Sequence, residues 1–155
     1  DDIVIVKIAP DDYFASEVMG ADIIAQEIQN LSNSNNYLKA GINSVELIDN
    51  ILTITGWILE PQCNSNYVLP GVHLWNEENG MLYSLSSGTQ NRGDLTTAFP
   101  DGTDYSHSGV MAKGSMDQLP IESMDHCKIF LSITRNGEIK YFDTGKYVIP
   151  LFPGA

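Results

Sequence analysis

The chain has 155 residues, 43% of them hydrophobic and 18% charged, which is the make-up of one globular domain and not of a disordered segment. At this length a chain buries roughly 70% of the surface its unfolded form exposes and needs neither metal nor disulfide to hold a core. Twenty acidic residues against eight basic give a net charge of −12; this argues against a nucleic-acid partner, which calls for clustered Lys and Arg, and against an anionic membrane surface.

In chain order, residues 2–8, DIVIVKI, read as a short strand from their β-branched content, ended by Pro10. Residues 15–31 carry a helical period in Val18, Ala21, Ala25, Ile28 and Leu31, with Ser16 as a cap for the first turn. Residues 32–36, SNSNN, read as a polar linker. They divide an N-terminal strand-helix arm (1–36), packed on or linking to the rest, from a β-sandwich domain (37–155). The opening Asp1-Asp2 followed at once by an apolar run reads as the cut end of something longer. No signal peptide is visible, and no stretch of about 18 apolar residues reads as a membrane span.

From Tyr37 onward short apolar runs alternate with turn signals. Ser44 to Asp49 is one run, Asp49-Asn50 a turn, and Ile51 to Leu59 the strongest strand. Residues 60–66, EPQCNSN, form a loop. Tyr67 to Trp75 is a strand in which Pro70-Gly71 marks an edge or bulge. Glu77 to Gly80 turns into a strand over Met81 to Leu85. Residues 86–108 are a long polar connection. Strands resume at Gly109 to Lys113 and at Asp125 to Thr134. Asn136-Gly137 is a strong hairpin signal, because both residues tolerate positive φ. Glu138 to Phe142 pairs back, Asp143-Thr144-Gly145 turns again, and Lys146 to Ile149 is the last strand. Seven or eight strands at this spacing predict a mainly β fold: an antiparallel immunoglobulin-like or jelly-roll-like β-sandwich with one N-terminal helix.

Chemistry is sparse. Cys63 and Cys127 form no CxxC motif, so zinc is not expected. They read either as a disulfide across the sandwich, if the domain is exported, or as two separate thiols. Asp101 and Asp104, with Asp94 nearby, offer oxygens for calcium without EF-hand spacing; the alternative is a loop of Asx-turns. His73, His107 and His126 share no ligand spacing, and no serine stands in a Gly-x-Ser-x-Gly context. No phosphate-binding glycine loop is present, and no cofactor is expected. Asn30-Leu31-Ser32 matches the short N-glycosylation triplet.

Aromatic residues are the more useful class, because a sugar ring lays its C–H face on an aromatic ring and meets Asp, Asn and Arg at its rim. Trp75, Tyr83 and Tyr105 are taken as ligand contacts on this basis. Trp57 is expected instead in the core. Strict alternation along Ile51 to Leu59 would leave it outside, so a bulge at Gly56 is predicted to turn it inward.

Several landmarks over 41–149 occur in a familiar order: Gly56-Trp57, Val72-His73-Leu74, Tyr83, Arg92-Gly93-Asp94-Leu95 with Phe99, then Ser108-Gly109-Val110, and the hairpin at Asn136-Gly137. This resembles a β-sandwich accessory module attached to bacterial membrane glycosyltransferases and surface-polysaccharide proteins, marked there by Gly-Trp, Arg-x-Asp-Val and Ser-Gly-Phe. Leu95 replaces the usual Val, and Val110 the usual Phe. The resemblance covers about two-thirds of the chain and implies a non-catalytic, extracytoplasmic domain of a larger bacterial envelope protein that recognises a polysaccharide or glycan. Arg92 and Asp94 then either fasten loop to sheet or touch ligand. A protein-interaction or spacer domain is the alternative, with an edge strand near Pro70 or at Lys146 to Ile149 open to strand addition. A hydrolase is the third reading.

Overall fold

A computed structural model of the chain describes residues 21–119 and 121–148, with side chains from residue 27 onward except at 121–123. The strand expected at 2–8 and the start of the expected helix lie outside these residues.

The described residues form two four-stranded antiparallel sheets and a helix. Helix α1 spans Ala21–Ser34. The strands are β1 (Lys39–Ile48), β2 (Ile51–Leu59), β3 (Leu69–Asn76), β4 (Met81–Ser84), β5 (Ser86–Gln90), β6 (Gly109–Ser115), β7 (Cys127–Arg135) and β8 (Glu138–Tyr147); a short helix α2 (Gly93–Ala98) follows β5. One sheet has the order β1-β2-β6-β5 and the other β4-β3-β7-β8. The fold is the expected β-sandwich.

Alternation builds the core. Leu52, Ile54 and Ile58 from β2 meet Val72 and Leu74 from β3 and Cys127, Ile129, Leu131 and Ile133 from β7 in one cluster between the sheets. The strand β4–β5 changes sheets at Leu85. This buried residue donates its N–H to the Val72 carbonyl at 3.0 Å and turns the corner between the two layers. The long polar connection therefore holds a strand and a helix that composition hid.

The outer face of the second sheet is also covered. Ile28 of α1 packs on Trp75, Leu82 and Phe130, with Tyr141 at the margin. The polar run at 32–36 is not a linker in its first half: Ser32 to Ser34 remain helical. Ser32 is held there because its Oγ accepts the Asp143 N–H at 2.8 Å, a tertiary bond that sequence composition cannot show.

Both predicted two-residue hairpins form. Asp49 and Asn50 sit at φ 52° and 66°, and Asn136 and Gly137 at 56° and 78°, the mirror-image turn geometry that suits strand twist. The expected turn at 143–145 is instead a bulge inside one continuous strand. Phe130 pairs with Asp143 and Ile129 with Lys146, so Thr144 and Gly145 are looped out, with Gly145 at φ 70°. Pro70 lies where β3 is paired to β7 alone, since β4 meets β3 only from His73 to Asn76.

Trp57 departs from expectation. No bulge interrupts β2, and its alternation continues unbroken to Ile58. The irregularity lies on the neighbouring strand, where Asn43 of β1 is extra between Ile42 and Ser44. Gly56 faces it: a Cβ there would stand 2.5 Å from the Gly41 carbonyl oxygen. Trp57 stays on the outer face and packs with Leu59, Leu95, Phe99 and Tyr105 in a satellite cluster.

Candidate functional site

The loops at one end of the sandwich converge. β2 ends there at Leu59 and β6 begins at Gly109, opposite Trp57. β7 reaches the β7–β8 turn at the same end. The connecting segments 60–68 and 91–108 lie beside one another and are tied by backbone bonds, among them Ser65 N–H to the Asp104 carbonyl at 2.9 Å.

Trp57, Arg92, Asp94, Phe99 and Gly109 come together here. Trp57 lies against Gly41, where an added Cβ would fall 2.8 Å from the indole Nε1. Its ring centroid is 5.7 Å from that of Phe99. Arg92 packs its stem over Gly109, where a Cβ would meet Arg92 Cγ at 2.6 Å. Its guanidinium donates to both Asp94 oxygens at 3.0 Å and to Asn43 Oδ1 at 2.6 Å. That fork holds the Asp94 carboxyl below its ordinary pKa. Arg92 thus clasps the start of α2 to the β1 bulge. Gly41, Gly56 and Gly109 are the positions where this packing leaves no room for a side chain.

The other predicted contacts occupy different places. Trp75 is 8% exposed beneath α1, and its ring meets Phe130 edge-on at 5.5 Å. It cannot serve as a sugar platform. Tyr83 faces Leu74 across the β3–β4 pair and borders the central core. Tyr105 is 0% exposed; its ring is spent on the Trp57 cluster and cannot stack a ligand. Both errors have one cause: aromatic identity does not reveal which covered face a residue joins.

Tyr105 matters from below. Its hydroxyl accepts the Gln62 N–H at 2.7 Å and donates to Asp101 Oδ2 at 2.6 Å. Burial, then the bond to Asp101, pushes its pKa up. Asp101 Oδ1 takes the Thr103 N–H, and Asp104 Oδ1 takes the N–H and hydroxyl of Ser106. These are Asx-turns, and no group of three metal-ligating side chains occurs among the described residues.

Cys63 and Cys127 are free thiols, the second of the two readings and not the disulfide. Cys63 lines a cleft with Arg135, at the far end of β7 from Cys127. That strand has nine residues, roughly 26 Å of extended chain, whereas a disulfide needs Cα atoms within about 7 Å. Burial, then Asp125 and Glu78, pushes the Cys127 thiol up to about 12. Burial and Glu60 raise that of Cys63.

His73 is buried between Ser84 Oγ at 2.8 Å and Ser132 Oγ at 2.7 Å. No carboxylate orients the ring, and Ser132 is itself buried. Burial lowers the His73 pKa to about 4, so it is neutral.

The cleft beside Cys63 was missed in the sequence. Gln62, Cys63, Asn64, Tyr67, Arg135 and Asn136 enclose about 300 Å³ between the 60–68 loop and the β7–β8 turn. Tyr67, closing the short 3₁₀ turn Ser65–Tyr67, is 75% exposed. Asn64 caps that turn, its Oδ1 accepting the Asn66 N–H at 2.8 Å. Behind the cleft the Glu60 carboxylate accepts from Lys140 Nζ at 2.7 Å and from the Tyr37 hydroxyl at 3.1 Å. Burial raises the Glu60 pKa, but these bonds and the charges of Lys140 and Arg135 outweigh it and hold it below the ordinary value. The sequence signals were present singly, as amides around Tyr67 and as Arg135-Asn136-Gly137. Their meeting across about seventy residues is a property of the topology.

No family profile matches the sequence, and no curated protein matches it. Among solved structures, the crystal structure of TarS from S. aureus is similar at 6% identity and TM-score 0.47, over 68% of this chain and 16% of that one. The outer membrane decaheme cytochrome OmcA is similar at 9% identity and TM-score 0.30, over 70% of this chain and 22% of that one. The chain spans less than a quarter of the length of either protein. At these TM-scores neither likeness bears on what the chain does.

Proposed function

We propose that this domain is a non-catalytic accessory module that recognises a glycan, carried by a larger bacterial envelope protein on its extracytoplasmic side. The observation that carries the reading is Tyr67: a ring 75% exposed, set in a cleft among Gln62, Asn64, Arg135 and Asn136. An aromatic face for sugar C–H bonds, rimmed by amide and guanidinium donors, is the chemistry a sugar ring requires. The loop is built in advance of any ligand, since Tyr105, Asp101 and Ser65 anchor it from beneath; little ordering is left to oppose binding. The ring is not needed by the core.

The test is calorimetric titration of the domain and of Tyr67→Ala with oligosaccharides prepared from envelope polysaccharides. Tyr67→Ala is expected to weaken binding at least fivefold at an unchanged melting temperature. Equal affinity in the two proteins would overturn the assignment of the site.

A further inference from the structure

We infer that the cleft at Tyr67 selects an acidic sugar, one bearing a carboxylate or a phosphate, and that Arg135 is its anchor; the inference rests on the glycan reading of the same cleft. Arg135 is the one charged residue among those that line it, and no acid faces it from the lining. This is a local exception on a chain of net charge −12.

The guanidinium has donors to spare. A guanidinium carries five N–H groups in a planar fork that matches an oxyanion. Among the described residues the ion partner of Arg135 is Glu60, with Nη2 3.8 Å from Oε2, beyond the ordinary length of a charge-assisted hydrogen bond. That oxygen is already engaged by Lys140 and Tyr37. The Arg135 Nε is buried without a hydrogen-bond partner, while the side chain as a whole is 38% exposed. Arg92 on the same end of the sandwich shows the contrast, with its fork closed on Asp94 and Asn43.

The overall negative charge opposes a long polyanion. At physiological ionic strength that repulsion is screened beyond about 8 Å, so a short acidic sugar approaches with the local Arg135 field as its main charge contact. Tyr67 would hold the ring face and Arg135 the acid group.

The experiment uses three probes on the intact domain: a neutral disaccharide, the matching disaccharide ending in glucuronate, and a hexose phosphate. At least one acidic probe is expected to bind about tenfold or more tightly than the neutral one; which of the two does so identifies the oxyanion. Arg135→Gln is expected to bring that acidic probe down to the neutral level and to leave the neutral probe unchanged. Arg135→Lys, which keeps the charge without the fork, is expected to fall between. Tyr67→Ala is expected to weaken all bound probes. If the neutral disaccharide binds as well as both acidic probes, or if Arg135→Gln leaves acidic affinity intact, the inference is overturned while the glycan reading stands. If no probe binds the folded domain, both fall.

Discussion

At the scale of single residues, the informative positions are the glycines around Trp57. An added methyl at Gly56 would stand 2.5 Å from a backbone oxygen of Gly41, whereas one at Gly41 would stand 2.8 Å from the Trp57 indole nitrogen. Backbone in a paired strand cannot retreat without breaking ladder bonds, but a half-exposed indole can tilt. Gly56→Ala is therefore expected to cost about 2–3 kcal/mol and Gly41→Ala about 1–2 kcal/mol, read from urea unfolding of the two variants. Equal costs would mean that the indole is as fixed as the strand. Trp57→Ala removes a partly exposed ring that packs against Gly41 and the cluster of Leu95, Phe99 and Tyr105. It is expected to cost about 2 kcal/mol, below the 3–5 kcal/mol of a fully buried aromatic. A loss above 4 kcal/mol would restore Trp57 to the role of a core anchor.

At the scale of elements, the sheet that α1 packs on holds a polar trio. His73 on β3 lies between Ser84 of β4 and Ser132 of β7, with Tyr141 of β8 edge-on at 5.3 Å; from α1, the charge of Glu27 reaches Tyr141. The folded His73 pKa of about 4 lies below the usual 6.5. The unfolded chain therefore takes up the proton first as pH falls, and stability drops from pH 6.5 down to about 4, by about 3 kcal/mol in all. Glu60 works in the same direction in a lower window: its depressed pKa gives stability above about 4.5 that is lost as pH falls through the folded value. Between pH 7 and 5 the slope belongs to His73, and urea titrations are expected to show a loss of about 2 kcal/mol that His73→Asn lacks. A flat profile in the parent protein would contradict this. Elements were legible in the sequence where local chemistry decides them: the Asp49-Asn50 and Asn136-Gly137 hairpins and the alternation of β2 and β7 follow from turn residues and period alone. They were illegible where a distant partner decides. Ser32 lies within α1, and its hydroxyl accepts the Asp143 N–H from β8. Thr144 and Gly145 bulge instead of turning because β7 continues past them, with the Thr144 hydroxyl bonded to the Ile129 carbonyl. The site was illegible for the same reason, since Tyr67 and Arg135 meet only through the stacking of loops at one end of two sheets.

At the scale of the whole molecule, edges and charge set its behaviour. Of the four edge strands β1, β5, β4 and β8, two carry a bulge: β1 at Asn43 and β8 at Thr144-Gly145. Bulged edges fit poorly against an added strand, which disfavours strand addition at β1 and β8. Charge acts on stability through two opposed terms. Twenty acids and eight bases leave −12, and like charges on a compact surface repel one another more than on the expanded chain. Added salt screens this and stabilises the fold. Salt also weakens the ion pairs, but these are few among the described residues. The most buried, Lys140–Glu60 at 2.7 Å and Lys128–Asp143 at 3.1 Å, are screened less than exposed charges. The repulsion is long-ranged and exposed, so it responds more. The melting temperature is therefore expected to rise by roughly 2–4 °C between 10 and 300 mM sodium chloride, the equivalent of about 1 kcal/mol in a domain of this size. Calorimetric scans across that range measure it. A fall with salt would show that the Glu60 and Asp143 pairs outweigh the net charge. Glu60→Gln separates the terms: it removes one negative charge together with the Lys140 pair, so its melting temperature should lie below the parent's at every salt concentration while rising with salt in parallel.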